Sequence, residues 1–225
     1  MKIDYEGFIR EMIQRNPVTI GPDASFFEAR HLIHEKGVRH VPVVDKNSRV
    51  LGIVTDRDIR EAAPSDASTL SIKEMNYLLA HLKVSAFMTP KNELITITPD
   101  TLVEEAVRLM HKHKIGYLPV VKGKELYGVF TEMDALNLLV DLFGLKQKST
   151  RLTVALEDIP GKMLAILEVL NEHNVNVISI ASPTFMVEGK RLAHIRIKTE
   201  KYKDIVKDLE KAGYPVLSIG KWPSV

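Results

Sequence analysis

The chain has 225 residues, enough for one large domain or two ordinary ones, and its apolar and charged shares of 45% and 27% are those of a globular protein. A formal charge of +2 implies no strong attraction to nucleic acid or to an anionic membrane. The absence of cysteine excludes disulfides, thiolate zinc sites, iron–sulfur clusters and cysteine nucleophiles, and it suits a reducing cytoplasm. The opening MKIDYEGFIREM is charged and holds no apolar core of signal-peptide length. No apolar run approaches the ~20 residues of a membrane span. The longest, around 135–145, carries Asp141 and follows Asp134.

The next elements are written twice. The segment beginning VTIGPDASFFEARHLIHEKGVRHVPVV at Val18 aligns with ITITPDTLVEEAVRLMHKHKIGYLPVV at Ile95 at an offset of 77. Thr19 falls on Thr96, Pro22 on Pro99, Asp23 on Asp100, Ala29 on Ala106 and Pro42 on Pro119. After a turn shortened by one residue, Gly52 meets Gly128, Thr55 meets Thr131 and Asp58 meets Asp134. A repeat of this order reads as duplication.

Each copy predicts β-α-β-β-α. A short strand at 18–20 opens the first. Ser25-x-x-Glu28 and Thr101-x-x-Glu104 are written as capping boxes for helices over about 26–36 and 102–113, and Gly37 suits a left-handed helix end. Phe26, Ala29, Ile33, Leu102, Ala106 and Leu109 fall on apolar helix faces. The runs VPVV, LPVV, LGIV and YGVF read as buried strands, with a helix opening after Thr55 and after Thr131. One copy alone is too small to bury such strands, so the copies are expected to pair through their sheets. Between them, APSDAST is a polar loop and SIKEMNYLLAHL an amphipathic helix, and FMTP begins the second copy.

These residues resemble a known family. Leu51-Gly52-Ile53-Val54-Thr55-Asp56-Arg57-Asp58 and Tyr127-Gly128-Val129-Phe130-Thr131-Glu132-Met133-Asp134 are similar to the apolar–Gly–apolar–apolar–Thr–x–x–Asp element of CBS domains. The pair resembles a Bateman module over roughly residues 8–145. The resemblance implies an adenine nucleotide (AMP, ATP or S-adenosylmethionine) as regulatory ligand. In that reading Asp58 and Asp134 hold the ribose, and Thr55 and Thr131 lie near sugar or phosphate. Val18, Pro42 and Ile53 in one copy, and Ile95, Pro119 and Val129 in the other, carry the adenine. Arg39, His40, Gly116 and Tyr117 take pocket positions, and Thr89 is a further contact. The chemistry fits: a carboxylate accepts from both ribose hydroxyls, helix N-termini attract anions, and Arg57 offers a planar cationic fork. The alternative is that Thr55-x-x-Asp58 only caps a helix, although Asp is short for reaching back. Because the first copy offers Arg39, His40 and Arg57 where the second offers Gly116, Tyr117 and Met133, two unequal clefts are expected.

From Arg151 the pattern changes to βαββαβ, the ferredoxin-like split unit. LTVALED, VNVISIASPTFM, KRLAHIRIKT and YPVLSIG are its strands, with VEGK a turn between the second and third, and PGKMLAILEVLNEHN and YKDIVKDLEKAG are its helices. Asp158-Ile159-Pro160-Gly161 at the first turn, with Asn174-Val175-Asn176 after the helix, make this part resemble an ACT domain. That implies amino-acid binding near Asp158, Pro160, Gly161, Asn174 and Asn176, with Gly161 and Lys162 suited to a carboxylate. The alternative is an ordinary helix start with Pro in the first turn. Asn stands at 174 where the family often has Gly, a mild departure because Asn tolerates the left-handed conformation.

The expected architecture is therefore α+β: a first repeat with N-terminal helix and linker (1–80), a second repeat (81–147) and an ACT domain (150–225). The order resembles the acetoin utilisation protein B family. It implies a regulatory sensor, most simply a homodimer acting on a partner enzyme, with no membrane or nucleic-acid partner. Rivals are a non-binding oligomerisation scaffold and a histidine-dependent metal hydrolase. For the latter, His31 with His34 and His111 with His113 are spaced to share an ion, but solvated helix faces explain them as well. His173 and His194 have no evident partners, and no Ser–His–Asp grouping, P-loop or GxGxxG element appears.

Overall fold

The computed structural model describes residues 7–63 and 71–222. Residues 1–6, which the expected N-terminal helix would include, and the APSDAST loop beyond Ala63 lie outside the described residues. The chain divides into two compact units, with the boundary between Ala135 and Leu136.

The first unit runs β1 (Gln14–Arg15), α1 (Phe26–Lys36), β2 (His40–Val44), β3 (Val50–Thr55), α2 (Asp56–Ala62), α3 (Ile72–His81), β4 (Thr89–Pro90), α4 (Val103–His113), β5 (Tyr117–Lys122) and β6 (Glu125–Thr131). The helix α5 (Glu132–Leu142) crosses the boundary. The strands form two three-stranded sheets, β2-β3-β4 and β1-β6-β5. Each sheet borrows an edge. The strand β4 lies just ahead of the second repeat yet pairs with β3 of the first, Ile53 opposite Thr89. In return β1, ahead of the first repeat, pairs with β6 of the second. Gly52 makes the first exchange possible: a Cβ there would stand 2.5 Å from the Thr89 carbonyl oxygen and 2.8 Å from Met88 Sδ. Phe26, Ala29, Ile33, Val41, Val43 and Val54 form the core of the first repeat. Each large apolar side chain so buried stabilises the fold by about 1.5–3 kcal/mol.

Local details depart from expectation in places. Ser25 and Glu28 form the expected capping box. Thr101 and Glu104 do not: the Thr101 hydroxyl accepts from the Thr98 N–H at 3.0 Å, so α4 starts a residue later behind Leu102, without a side-chain cap. Gly37 ends α1 at φ +62°, and Lys114 takes the same left-handed turn after α4. The strand expected at 18–20 is a single parallel bridge, Ile20 to Val43, matched by Ile97 to Val120. Pro17 and Gly21-Pro22 bracket the first of these stretches and limit its pairing.

The second unit runs β7 (Ser149–Leu156), α6 (Lys162–Glu172), β8 (Val177–Ala181), β9 (Met186–Val187), β10 (Lys190–Ile197), α7 (Lys203–Lys211) and β11 (Val216–Trp222). The antiparallel sheet is ordered β11-β7-β10-β8, with β9 a hairpin partner of β10. Glu188 and Gly189, both at positive φ, make that hairpin's turn. The strand expected over VNVISIASPTFM is broken in two at Ser182-Pro183, since Pro cannot donate to the ladder. Alternation gives the sheet two unlike faces. Leu152, Val154, Leu156, Ala193, Ile195 and Ile197 form one core with Ile166 and Leu170 of α6 and Ile205 and Leu209 of α7. Arg151, Thr153, His194 and Arg196 fall on the other face.

Candidate functional site

A cleft of about 650 Å³ opens in the first unit. Its apolar wall is Ile53 from β3 with Ile95 and Pro119 from the second repeat. The reciprocal edge strands explain the mixture, because β4 against β3 draws Thr89 and the chain leading to Ile95 onto the first repeat's sheet. Arg39, His40, Thr55, Arg57, Gly116 and Tyr117 also line it. Of the other positions expected to hold nucleotide, Val18, Pro42, Asp58, Thr131 and Asp134 are not among its lining residues, nor is Val129. The cleft thus sets Ile53 beside Ile95 and Pro119, while Val18 lies outside its lining, as does Pro42, although Pro42 is the register partner of Ile53 in the sheet.

Asp58 sits just behind the cleft. The Thr55 N–H and hydroxyl donate to its Oδ2 at 2.7 and 2.8 Å, while its own N–H donates to the Thr55 hydroxyl at 3.2 Å. Asp134 and Thr131 repeat this arrangement at 2.8, 2.7 and 3.3 Å. Asp therefore does reach back to complete the capping box, contrary to the expectation from its length. Its Oδ1 takes no bond among the described residues.

The rim is charged. Arg57 donates to Glu61 at 2.7 Å, and Arg60 pairs with Asp56 at 2.8 Å. Arg39 and Lys114 line the cleft without an ion pair among the described residues. Arg60, Asp56, Glu93, Leu94 and Ile115 are lining residues that the sequence reading passed over. Arg60 is visible in retrospect one helical turn beyond Arg57. His40 and Tyr117, equivalent positions in the two repeats, stack with ring centroids 4.9 Å apart and planes 20° from parallel. Burial holds the His40 imidazole below its usual pKa, and Arg39 pushes the same way, against Glu132 and Asp58. The Tyr117 hydroxyl is buried with no hydrogen-bond partner among the described residues, and burial raises its pKa.

In the second unit, Asp158 accepts from Arg191 at 2.8 Å and Lys162 pairs with Glu157 at 2.8 Å. Gly161, at φ +89°, is the N-cap of α6, and Asn174 is left-handed at φ +51°. Asn176 borders a cavity of about 470 Å³ that includes none of Asp158, Pro160 or Gly161. His173 and His194 do have partners, Asp208 at 3.0 Å and Thr153 at 3.0 Å. Both partners lie dozens of residues away, out of reach of a sequence reading. Among the described residues no group of three or more His, Asp or Glu side chains is placed to hold a metal ion, and no helix is long and apolar enough to cross a membrane.

Known proteins share the first unit's pattern. The CBS domain model matches residues 9–65 and 84–141. A CBS domain-containing protein of Dictyostelium discoideum is 32% identical over 133 residues, 59% of this chain and 90% of that protein. The inosine-5'-monophosphate dehydrogenase of Bacillus subtilis is 32% identical over 73% of this chain, but the match spans only 31% of the enzyme. Among solved structures, a Vibrio cholerae protein provisionally assigned to acetoin utilization superposes with TM-score 0.52 at 30% identity, covering 61% of this chain and 93% of that one. A Methanocaldococcus jannaschii protein shares the fold at TM-score 0.52 and 23% identity, covering 74% and 67%. The chain belongs to the CBS domain family. Two copies in tandem make it a CBS-pair protein, with an additional C-terminal region built on an antiparallel sheet.

Proposed function

We propose that this protein is a regulatory sensor that binds an adenine nucleotide in the cleft of its CBS pair and performs no catalysis itself. The observation that carries the reading is the cleft's division of chemistry. Ile53, Ile95 and Pro119 offer a flat apolar slot for a base. Thr55 offers a hydroxyl, and Arg39 and Lys114 offer unpaired cations for phosphate. Asp58 stands behind Thr55 with one carboxylate oxygen uncommitted, suited to a ribose hydroxyl. Of the positions the resemblance named, Val18, Pro42, Val129, Thr131 and Asp134 belong in this reading to the counterpart side, and the two sides are unequal.

The C-terminal sheet, with its four main strands in the spatial order fourth-first-third-second, is read as a ferredoxin-like ACT domain that serves amino-acid binding or homodimerisation. Ligand in the cleft then shifts the packing of the pair, and the assembly passes that shift to a partner enzyme. Complete caps at both Asp58 and Asp134 favour a second reading, a non-binding scaffold, because both carboxylates have structural work without ligand.

Calorimetric titration with AMP, ATP and S-adenosylmethionine separates the two. Saturable binding of one of them, weakened at least tenfold by Asp58→Asn, which keeps a cap acceptor, supports the sensor. No heat with any of the three supports the scaffold. Sedimentation showing a monomer would remove the homodimer from the reading.

A further inference from the structure

On the sheet face turned away from α6 and α7, the second unit holds a cavity of about 500 Å³ that neither reading above uses. Arg151 of β7, His194 and Arg196 of β10, and Lys221 and Trp222 of β11 line it, with Phe143 and Leu145 closing one side. Among the described residues no carboxylate lines it. Arg196 is the anchor. It is only 6% exposed, yet it has no ionic partner among the described residues. Its Nη1 donates to the Ser149 hydroxyl at 2.8 Å, and its guanidinium lies 5.6 Å from the Trp222 ring centroid. Its Nε and Nη2 make no protein hydrogen bond among the described residues. A buried guanidinium ordinarily finds an anion, because an unpaired buried charge is costly. Arg151, over Gly220 with its Nε 3.6 Å from where a Cβ would stand, forms no ion pair among the described residues either. Lys221 borders the cavity but carries its Nζ to the opposite face of the sheet, 5.6 Å from the ring centroid of Tyr202, which packs against the core. The pocket wall is fixed as well: the Trp222 indole N–H donates to the Leu145 carbonyl at 2.9 Å, and Thr153 holds His194.

We propose that this cavity is an anion site for a small organic ligand that carries at least two negative charges on a flat or apolar body. Two guanidiniums, Arg151 and Arg196, without a counter-charge among the described residues select a dianion, such as a phosphate monoester or a dicarboxylate, over a singly charged one. The Trp222 and Phe143 rings and Leu145 take the body. A zwitterionic amino acid is disfavoured, because none of the described lining residues is acidic and able to receive its ammonium. The site is thus separate in place and in chemistry from the residues Asp158 to Asn176.

Trp222 is the chain's only tryptophan, so its emission reports on this cavity directly. The experiment titrates the full chain with phenyl phosphate, inorganic phosphate and L-phenylalanine. The expected result is a saturable change in Trp222 emission with phenyl phosphate, a weaker response to inorganic phosphate, and none with L-phenylalanine in the same concentration range. Arg151→Gln removes the exposed cation without touching the buried one, and binding should weaken at least tenfold while the circular dichroism spectrum is unchanged. Absence of a saturable response to both phosphates would overturn the proposal. So would equal binding of L-phenylalanine, or undiminished affinity in the folded Arg151→Gln variant.

Discussion

The orphan hydroxyl of Tyr117 offers a direct test of the cleft's energetics. The Tyr117 ring is buried, and its stack against His40 needs only the ring. The hydroxyl is buried and has no hydrogen-bond partner among the described residues. A buried polar group left unsatisfied costs about 1–3 kcal/mol. Tyr117→Phe deletes that group and keeps the ring, so the substitution should stabilise the first unit by about 1–2 kcal/mol after a small allowance for lost packing volume. With a urea slope of about 2 kcal/mol/M, the midpoint should rise by roughly 0.5–1 M. Urea unfolding at pH 8, followed by far-ultraviolet circular dichroism, reads this. Trp222 emission follows the second unit separately and should not move. A variant destabilised by about 1 kcal/mol or more would refute the reasoning, because it would mean that the hydroxyl has a hydrogen bond in the folded protein.

Three further outcomes follow from the same geometry. The pKa of His40 is depressed by folding, so the unfolded chain binds its proton first. Stability should therefore rise with pH from the depressed folded value up to about 6.5 and level off above it, and His40→Gln should flatten that part of the slope. Urea midpoints between pH 5 and 8 check this, and identical slopes in the two proteins would contradict it. Gly52→Ala drives a methyl group onto the Thr89 carbonyl, whose position belongs to backbone, so a loss of about 1–3 kcal/mol is expected. A neutral result would show that β4 does not pack there. Asp58→Ala should cost about 1 kcal/mol through the lost cap, with Asp58→Asn close to neutral for stability. Equal stability losses in both variants would show that the charge, rather than the cap, is the structural contribution.

The duplication, the helices and the long strands were legible because each rests on local periodicity: Phe26, Ala29 and Ile33 on one helix face, VPVV and LGIV as paired strands. The capping code was half legible. Ser25 and Glu28 behave as written, whereas the Thr101 hydroxyl is captured by the Thr98 N–H, a competitor inside the same turn. The edge strands β1 and β4 were not legible, since two residues carry no period and their partners sit in the opposite repeat. For the same reason the wall of Ile53, Ile95 and Pro119 had to be seen in three dimensions. The cationic cavity was hidden too. Arg151 and Arg196 stand on different strands, and in sequence each reads as an ordinary polar position on an alternating strand.

The exchanged edges also bear on how such a chain can be divided. Each repeat keeps its own helices and its central hairpin but leaves one strand of its sheet in the other's keeping. Cut between them, the halves would each present a bare strand, β3 in one and β6 in the other, with unpaired N–H and C=O groups along its length. Such halves would seek each other, or copies of themselves, before they found a stable monomeric form. The smallest heritable piece of this architecture is accordingly the pair: a gene encoding one repeat would have to meet its complement on a second chain, and duplication within one chain supplies that complement at a fixed tether.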